Sequence, residues 1–231
     1  MTLRGVRINS TATSGYVLRV VAAPDVTLDR VTVVGGYIAI GVHMSARARV
    51  LNSTVQNVLY AGILTTGATN GLISGNTIDG VRPANPDPDW NAYGIALTYV
   101  SGSGNTTDTV VENNTVRNVP TWHGLDTHAG VRVTFRNNTV SGARRAVFLT
   151  ASPTAVLVEG NDLTAPTAAQ IAACPAGAPP AYCSDVNGIS VAGGSGTIRG
   201  NVGHGWPSGR WWNPISGGSG YTTPGNSPAI P

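Results

Sequence analysis

The sequence predicts an all-β fold built as a solenoid, and three observations support this. A short motif, an Asn or Ser followed closely by an aliphatic residue, returns about every 23 residues. A second, Gly- or Ala-led apolar motif returns between its copies. Only 11% of the 231 residues are charged and 30 are Gly, a composition that disfavours helices and suits short strands joined by tight turns.

The Asn motif defines the length of the repeat. Counted from a weaker copy that begins with Arg30, its copies start at Arg30, Ser53, Asn76, Asn114, Asn138, Asn161 and Asn201, with steps of 23, 23, 38, 24, 23 and 40 residues. The two long steps contain loop-like sequence, at 82–90 with 101–107 and at 166–185, which we interpret as insertions. A repeat of this length with strands and no helix indicates a solenoid in which each coil packs on the next.

The apolar motif assigns side chains to faces, because alternate residues of a strand point to opposite sides. Two columns are predicted to face the interior: Ile40, Ile63, Ile95, Leu125, Val147 and Ile189, then Val42, Thr65, Leu97, Thr127, Leu149 and Val191. The residues between them are predicted to face outward, including Asp126 and His128. Another outward column alternates in sign, as a surface ion-pair ladder does: Glu112, Arg136, Glu159 and Arg199.

This pattern resembles the right-handed parallel β-helix (pectate-lyase-like) superfamily, from about Leu3 to Trp206. The resemblance implies a single-stranded right-handed parallel β-helix of about 7–8 coils, with an aliphatic core and ladders of turn Asn residues whose amides bond along the axis. Residues 1–206 would then form the β-helix. Residues 207–231, rich in Trp, Gly and Pro, would form an irregular C-terminal cap or tail of the same domain.

The net charge and the lengths of the apolar runs indicate which binding partners to expect. The net charge is +3, and all 14 basic residues are Arg scattered along the chain, so we expect no nucleic-acid partner. The apolar runs are far shorter than the roughly 20 residues of a membrane span, so we expect no membrane partner. The weak positive charge favours an anionic substrate. We expect a monomer without a cofactor; a divalent cation such as Ca²⁺ is compatible with the sequence but is not indicated by it.

The two cysteines indicate the cellular compartment in which the protein is expected to work. Cys174 and Cys183 lie in one Pro/Ala/Gly-rich loop. A disulfide closing such a loop suits an oxidising environment, so we expect a secreted or extracellular protein; two free thiols are the alternative. Strand-like sequence starts directly after Met1, which we interpret as the result of a removed leader or of a start within a longer protein.

The segment Trp122–His128 is the candidate site, because it places two of the four histidines and one Asp within seven residues. Asp126 and His128 are two residues apart on a predicted strand, so both side chains are expected to leave the same face into solvent. A carboxylate beside an imidazole raises the imidazole pKa and orients the ring, which suits acid–base chemistry near neutrality. His123 is a second candidate proton carrier.

Other candidates surround this segment. Arg144 and Arg145 enter the next coil at the positions equivalent to Trp122 and His123, and guanidinium groups suit carboxylate or sulfate binding. The insertions enter on the same side and are predicted to wall a groove. We assign catalysis to Asp126, His128, His123 and Arg145, and substrate binding to Arg144, Tyr93, Trp90, Asn91 and Phe148.

The segment His123-Gly124-Leu125-Asp126-Thr127-His128 is similar to the Tyr-Gly-Phe-Asp-Pro-His motif of the mannuronan C5-epimerases, which are β-helix enzymes acting on alginate. The resemblance implies that Asp126 matches the family's essential Asp and that His128 matches its acid–base His. His123 stands where the family has its catalytic Tyr, and Thr127 replaces Pro. The family also uses a Lys, and this chain contains none.

These patterns leave several functions open. The leading hypothesis is an enzyme that abstracts the C5 proton of a uronate in an acidic polysaccharide, as a lyase or a C5-epimerase. A glycoside hydrolase needs a second carboxylate near Asp126, which Asp87, Asp89 or Asp185 would supply. A non-catalytic polysaccharide-binding or structural coil is another alternative. The remaining alternative is a metal site formed by Asp126, His128 and His123.

Overall fold

The chain forms a coil of stacked parallel strands in a computed structural model, which describes residues 1–83, 91–99, 101–102, 104–172, 184–216 and 220–230. One nine-stranded sheet runs along the coil, and its strands are β1 (Thr2–Arg4), β4 (Thr27–Asp29), β7 (Arg49–Leu51), β10 (Leu72–Ser74), β13 (Val110–Glu112), β15 (Thr134–Arg136), β17 (Val156–Glu159), β20 (Gly196–Arg199) and β23 (Tyr221–Thr222). Each strand pairs in parallel with its equivalents in the coils before and after it, which is the arrangement of a parallel β-helix.

A fourteen-stranded sheet forms the other two faces. One face contains β2 (Arg7–Asn9), β5 (Thr32–Val34), β8 (Thr54–Val58), β11 (Thr77–Val81), β18 (Asp162–Thr164) and β21 (Val202–His204). The other contains β3 (Tyr16–Val21), β6 (Ile38–His43), β9 (Ala61–Thr66), β12 (Tyr93–Thr98), β19 (Asn187–Ala192) and β22 (Trp212–Ser216). The long strands β14 (Thr115–His128) and β16 (Thr139–Thr150) turn the corner between the two faces, and their pairing shifts register between Val119 and His123.

The predicted interior columns are confirmed. Ile63, Ile95, Leu125, Val147 and Ile189 are in register through successive strand pairs, and all are completely buried. The second column, which includes Leu97 and Thr127, is buried beside them. A continuous aliphatic core therefore runs along the coil, and its burial is the main favourable term in folding.

The predicted Asn ladder is present on the inner side of the turns. The side-chain oxygen of Asn138 accepts hydrogen bonds from the backbone and side-chain nitrogens of Asn114, at 3.0 and 2.9 Å. Asn138 donates to the Asn161 side chain in the same way, at 2.9 Å. The ladder extends from Ser53 to Asn226. Each buried amide thus satisfies the polar groups of the neighbouring coil.

The outward charged column forms ion pairs. Arg136 lies 2.7 Å from Glu112, and Arg199 lies 2.7 Å from Glu159. All four groups are partly exposed, so these pairs stabilise the coil only weakly.

The sheets continue beyond Trp206, where the sequence placed the end of the β-helix. The strand β22 pairs with β19, and β23 pairs with β20, both in parallel. The boundary at residue 206 therefore falls within the stacked strands. Backbone pairing, which the irregular sequence of 207–231 does not reveal, continues the coil. Trp211 packs into the end of the core, and its indole nitrogen donates to the Pro228 carbonyl at 2.6 Å.

Helical structure is sparse. The described residues include one short helix, α1 (Ala168–Ala172), which lies in the second insertion. No helix in the described parts of the chain combines the length and apolar character needed to span a membrane.

Candidate functional site

His123 and Asp126 lie on the same outer face of β14, although strict alternation places residues three apart on opposite faces. The two residues between them both point to the interior: Leu125 is in the core, and a methyl group added to Gly124 would meet the side chains of Val140 and Ala143. The strand turns the corner of the coil at this point. His123 therefore joins Asp126 outside the core, an arrangement that the sequence period does not predict.

Asp126 is held between two imidazoles. Its Oδ2 accepts a hydrogen bond from Nδ1 of His123. Its Oδ1 lies 3.0 Å from Nε2 of His128, which is a close charge contact without the alignment of a hydrogen bond. The carboxylate therefore contacts both histidines, and it links them into one group.

Asp126 does not face solvent, contrary to the sequence-based expectation, because neighbouring side chains cover it. Its exposed fraction is 0%, and that of His123 is 1%. Of the three side chains, His128 alone is substantially exposed, at 32%. The period of a strand decides which face a side chain leaves, but not whether bulky neighbours close over it. A ligand approaching this group from solvent therefore meets His128 first.

The pKa values follow from burial and from the shared carboxylate. Burial lowers the pKa of His123 to about 4, although the Asp126 charge acts in the opposite direction. Burial also lowers the pKa of His128, but the attraction of Asp126 outweighs it, so the His128 pKa lies above its ordinary value. Burial opposes ionisation of Asp126, yet the two histidines hold its pKa below the usual range. Near neutrality the group holds an ionised Asp126 and a neutral His123.

Arg145 contacts the other side of His123. Its Nη1 lies 3.2 Å from Nε2 of His123, so the guanidinium donates to that ring nitrogen while Nδ1–H donates to Asp126. This fixes the neutral tautomer of His123. Burial and the neighbouring Arg144 lower the pKa of Arg145 to about 10. Arg145 remains a cation at neutral pH.

Aromatic rings enclose the group. Trp122 stacks on His123 with ring centroids 4.6 Å apart, and Phe148 lies 4.4 Å from the same ring on the next coil. The Tyr93 ring lies 5.7 Å from His123 and 6.2 Å from His128. Arg144 and Arg145 both lie over the Trp122 ring. These rings exclude water from Asp126 and His123.

The structure brings together most of the predicted site residues: Asp126, His128, His123, Arg145, Arg144, Tyr93 and Phe148. Asn91 is half-buried, two residues before Tyr93, and its side-chain oxygen is buried without a partner among the described residues. Trp90, Asp87 and Asp89 lie outside the described residues, as do Cys174 and Cys183.

The structure adds Asn187, Ser190 and Arg210 to the site, and it places Asp185, which the sequence offered only as a second carboxylate for Asp126, against the arginines. Asp185 contacts Arg144, Arg145 and Arg210. Asn187 pairs with Arg145, and Ser190 pairs with Phe148, in strand register. Register alone could have identified Asn187 and Ser190. Arg210 carries no such signal, because the sequence around it lacks the repeat.

Imidazole, carboxylate and guanidinium groups dominate the site. The described ranges contain no cluster of three or more His, Cys, Asp or Glu side chains arranged to hold a metal ion.

Residues 1–163 match a family model described as a right handed beta helix region. The match covers well over half of the chain. A search of curated proteins found no match.

Several solved structures are similar to this chain. PfbA, a surface adhesin of Streptococcus pneumoniae, has a TM-score of 0.57 and 13% identity over 98% of this chain and 60% of its own. The Dettilon tailspike protein (gp208) has a TM-score of 0.39 and 14% identity, over 87% and 55%. The catalytic domain of a GH87 alpha-1,3-glucanase in complex with nigerose has a TM-score of 0.37 and 11% identity, over 89% and 50%. The chain thus spans at most 60% of these proteins, and PfbA shares its fold.

Proposed function

Because this chain belongs to the right-handed β-helix family, whose stacked strands align side chains in columns outside the coil, we propose that the group around His128 is an active site. The proposed substrate is an acidic, uronate-containing polysaccharide. The proposed reaction is abstraction of the C5 proton, leading to lyase cleavage or to C5 epimerisation.

The observation that carries this proposal is the pairing of an accessible imidazole with a buried carboxylate. Asp126 raises the pKa of His128 and contacts its Nε2, while the His128 side chain keeps 32% of its surface exposed. A histidine of this kind accepts and returns a proton close to neutral pH. Among the described members of the group, His128 is the acid–base side chain that a substrate can reach.

The arginines support an acidic substrate. Every unit of a uronate polymer carries a carboxylate, and cations on the binding face attract such a chain. Arg144 and Arg145 supply two guanidinium groups beside the histidines. A neutral polymer would gain nothing from this positive charge.

One accessible acid–base group favours the lyase outcome. A single imidazole on one face of the sugar can take the C5 proton and deliver a proton to the departing 4-oxygen, leaving a double bond between C4 and C5. Epimerisation needs a second proton donor on the opposite face. His123 is almost fully buried and Tyr93 is 6% exposed, so neither is positioned to donate without rearrangement.

Retaining or inverting glycoside hydrolysis is less well supported. That chemistry needs two carboxyl groups that reach the scissile bond. Asp126 is fully buried, and each of its oxygens contacts a histidine, so it cannot serve as one of the pair in this arrangement. A non-catalytic polysaccharide-binding coil would bind its ligand over the same residues without the proton transfer.

The test is incubation of the protein with a panel of uronate polymers, such as alginate, pectate and glucuronans, in D₂O. We expect new ultraviolet absorbance from an unsaturated uronate if the protein is a lyase. We expect deuterium at C5, seen by NMR, if it is an epimerase. The same measurement on His128→Ala separates the protein's own activity from a contaminant. If no polymer gives either new ultraviolet absorbance or deuterium at C5, the enzymatic proposal is rejected.

We also propose that the protein is extracellular, since polymers of this kind lie outside cells. We propose in addition that it is a monomer. The expected Cys174–Cys183 disulfide belongs to this proposal. Thiol titration of the unfolded protein, before and after reduction, tests the disulfide, and light scattering tests the oligomeric state.

A further inference from the structure

Three guanidinium groups converge on one carboxylate beside the proposed active site. Nη1 of Arg210 lies 2.5 Å from Oδ1 of Asp185, and Nη2 of Arg144 lies 3.5 Å from Oδ2. Nη2 of Arg145 lies 4.0 Å from the same Oδ2. These residues come from three positions far apart in the sequence, and the stacked coils bring them together. The three guanidinium groups of this arginine cluster, beside one carboxylate, leave an excess of positive charge on this face of the coil.

Polar atoms in this region lack partners. The Nε of Arg145 is buried without a hydrogen-bond partner among the described residues, and so is the side-chain oxygen of Asn187. Asn187 is 1% exposed, pairs with Arg145 in register, and donates from Nδ2 to the Asp185 backbone oxygen at 3.2 Å. Leaving such groups unpaired costs free energy, so a polar ligand that reached them after Asp185 had moved aside would gain hydrogen bonds.

Asp185 is accessible enough to exchange. Its side chain keeps 33% of its surface exposed, and Arg210 keeps 48%, whereas Arg144 and Arg145 are mostly buried. If the Asp185 side chain rotates into solvent, the three guanidinium groups remain facing the space that its carboxylate occupied.

The cluster is displaced from the acid–base group. The imidazole of His123 lies between Arg145 and Asp126, since Arg145 contacts Nε2 and Asp126 contacts Nδ1. His128 contacts the far oxygen of Asp126. A sugar unit bound over His128 is therefore separated from the arginine cluster by His123 and Asp126, and the cluster faces the neighbouring unit of the polymer.

We propose that Arg144, Arg145 and Arg210 form a binding subsite for the acid group of a neighbouring sugar unit, and that Asp185 occupies this subsite until the substrate displaces it. The subsite selects polymers that carry acid groups on consecutive units. Arg210, which keeps 48% of its side chain exposed, is its accessible specificity-determining residue. This inference rests on the proposed function for the identity of the substrate.

The experiment measures equilibrium binding, without turnover, of trigalacturonate and trimannuronate by calorimetry, with maltotriose as the neutral probe. Asp185→Asn removes the competing charge and should raise the affinity for an acidic trisaccharide roughly fivefold, because the subsite is no longer occupied. Arg210→Gln should lower that affinity by roughly the same factor. Arg199→Gln, which breaks a similarly exposed ion pair with Glu159, is the matched control and should change nothing.

The outcomes separate the two proposals. If the wild-type protein binds or turns over acidic saccharides but neither Asp185→Asn nor Arg210→Gln changes the affinity, the subsite is rejected and the proposed function stands. If neither the wild type nor Asp185→Asn binds any acidic trisaccharide, the subsite and the acidic substrate class are both rejected. Circular dichroism checks that each variant is folded. Arg210→Gln alters an exposed side chain and therefore decides the question if Asp185→Asn does not fold.

Discussion

Nδ1 of His123 donates a hydrogen bond to the carboxylate of Asp126, three residues further along the same strand, and neither side chain reaches solvent. Their burial separates the roles of the three residues that the sequence grouped as catalytic. In the proposed function, Asp126 and His123 act through His128 as positioning residues, and His128 is the group that meets the substrate.

Replacing His128 by Ala should abolish proton transfer while leaving the coil intact. We expect a loss of about 10²- to 10⁴-fold in kcat, the usual contribution of a positioned acid–base group, with KM for the polymer little changed. His204→Ala is the control, because that imidazole lies 3.3 Å from Asp162 on an exposed surface. Undiminished activity in the His128 variant would contradict the assigned role.

Replacing Asp126 by Asn keeps the shape of the side chain and removes its charge. The pKa of His128 should then fall, because the attraction of Asp126 is what raises it. The limb of the pH–rate profile that reports His128 should move to lower pH, and stability should drop by about 1–3 kcal/mol, since a buried charge-assisted hydrogen bond is weakened. A variant with lower stability but an unmoved pH profile would assign Asp126 a structural role only.

The stability of the protein should depend on pH through His123. Its pKa is lowered to about 4 from 6.5, so folding favours its neutral form. Its contribution is complete above about pH 6.5 and is lost as the pH falls towards 4, by about 3 kcal/mol. The raised pKa of His128 acts in the opposite sense, because its contribution is present below its unfolded pKa and is lost as pH rises through its folded pKa.

Urea denaturation between about pH 4 and pH 7 measures this dependence. His123→Asn should flatten the acidic part of the curve relative to the wild type. His204→Ala should keep the wild-type slope, because that residue is exposed. An unchanged acidic slope in His123→Asn would show that other groups cause the loss of stability.

The Asn ladder should matter far more to stability than the surface ion pairs. Asn138→Ala removes hydrogen bonds to Asn114, Asn161 and the Val111 carbonyl, and it leaves buried groups unpaired. We expect a loss of about 2–4 kcal/mol in the free energy of unfolding. Arg136→Gln removes an exposed pair with Glu112 and should cost at most about 1 kcal/mol. Equal losses in the two variants would mean that the ladder is not a main source of stability.

Much of the fold was predictable because it depends on the length of the sequence repeat and on the alternation of side chains along each strand. The step between successive Asn motifs placed Asn76, Asn114 and Asn138 in one ladder, and alternation placed Leu125 and Thr127 in the core. Both predictions use the spacing of side chains along a strand, which does not depend on the rest of the molecule. The prediction that Asp126 faces solvent failed because burial depends on the size and direction of neighbouring side chains.

By itself, the sequence determined the repeat, the register of the coils, the inward columns and the presence of an Asp and two histidines on one strand. The tertiary structure decided that Gly124 and Leu125 both turn inward at a corner, so that His123 meets Asp126 on the outside. It also decided that Arg210, from a stretch without any repeat, reaches Asp185. A local period reports only the direction of a side chain along its own strand, whereas enclosure and charge contacts arise from several coils packed together.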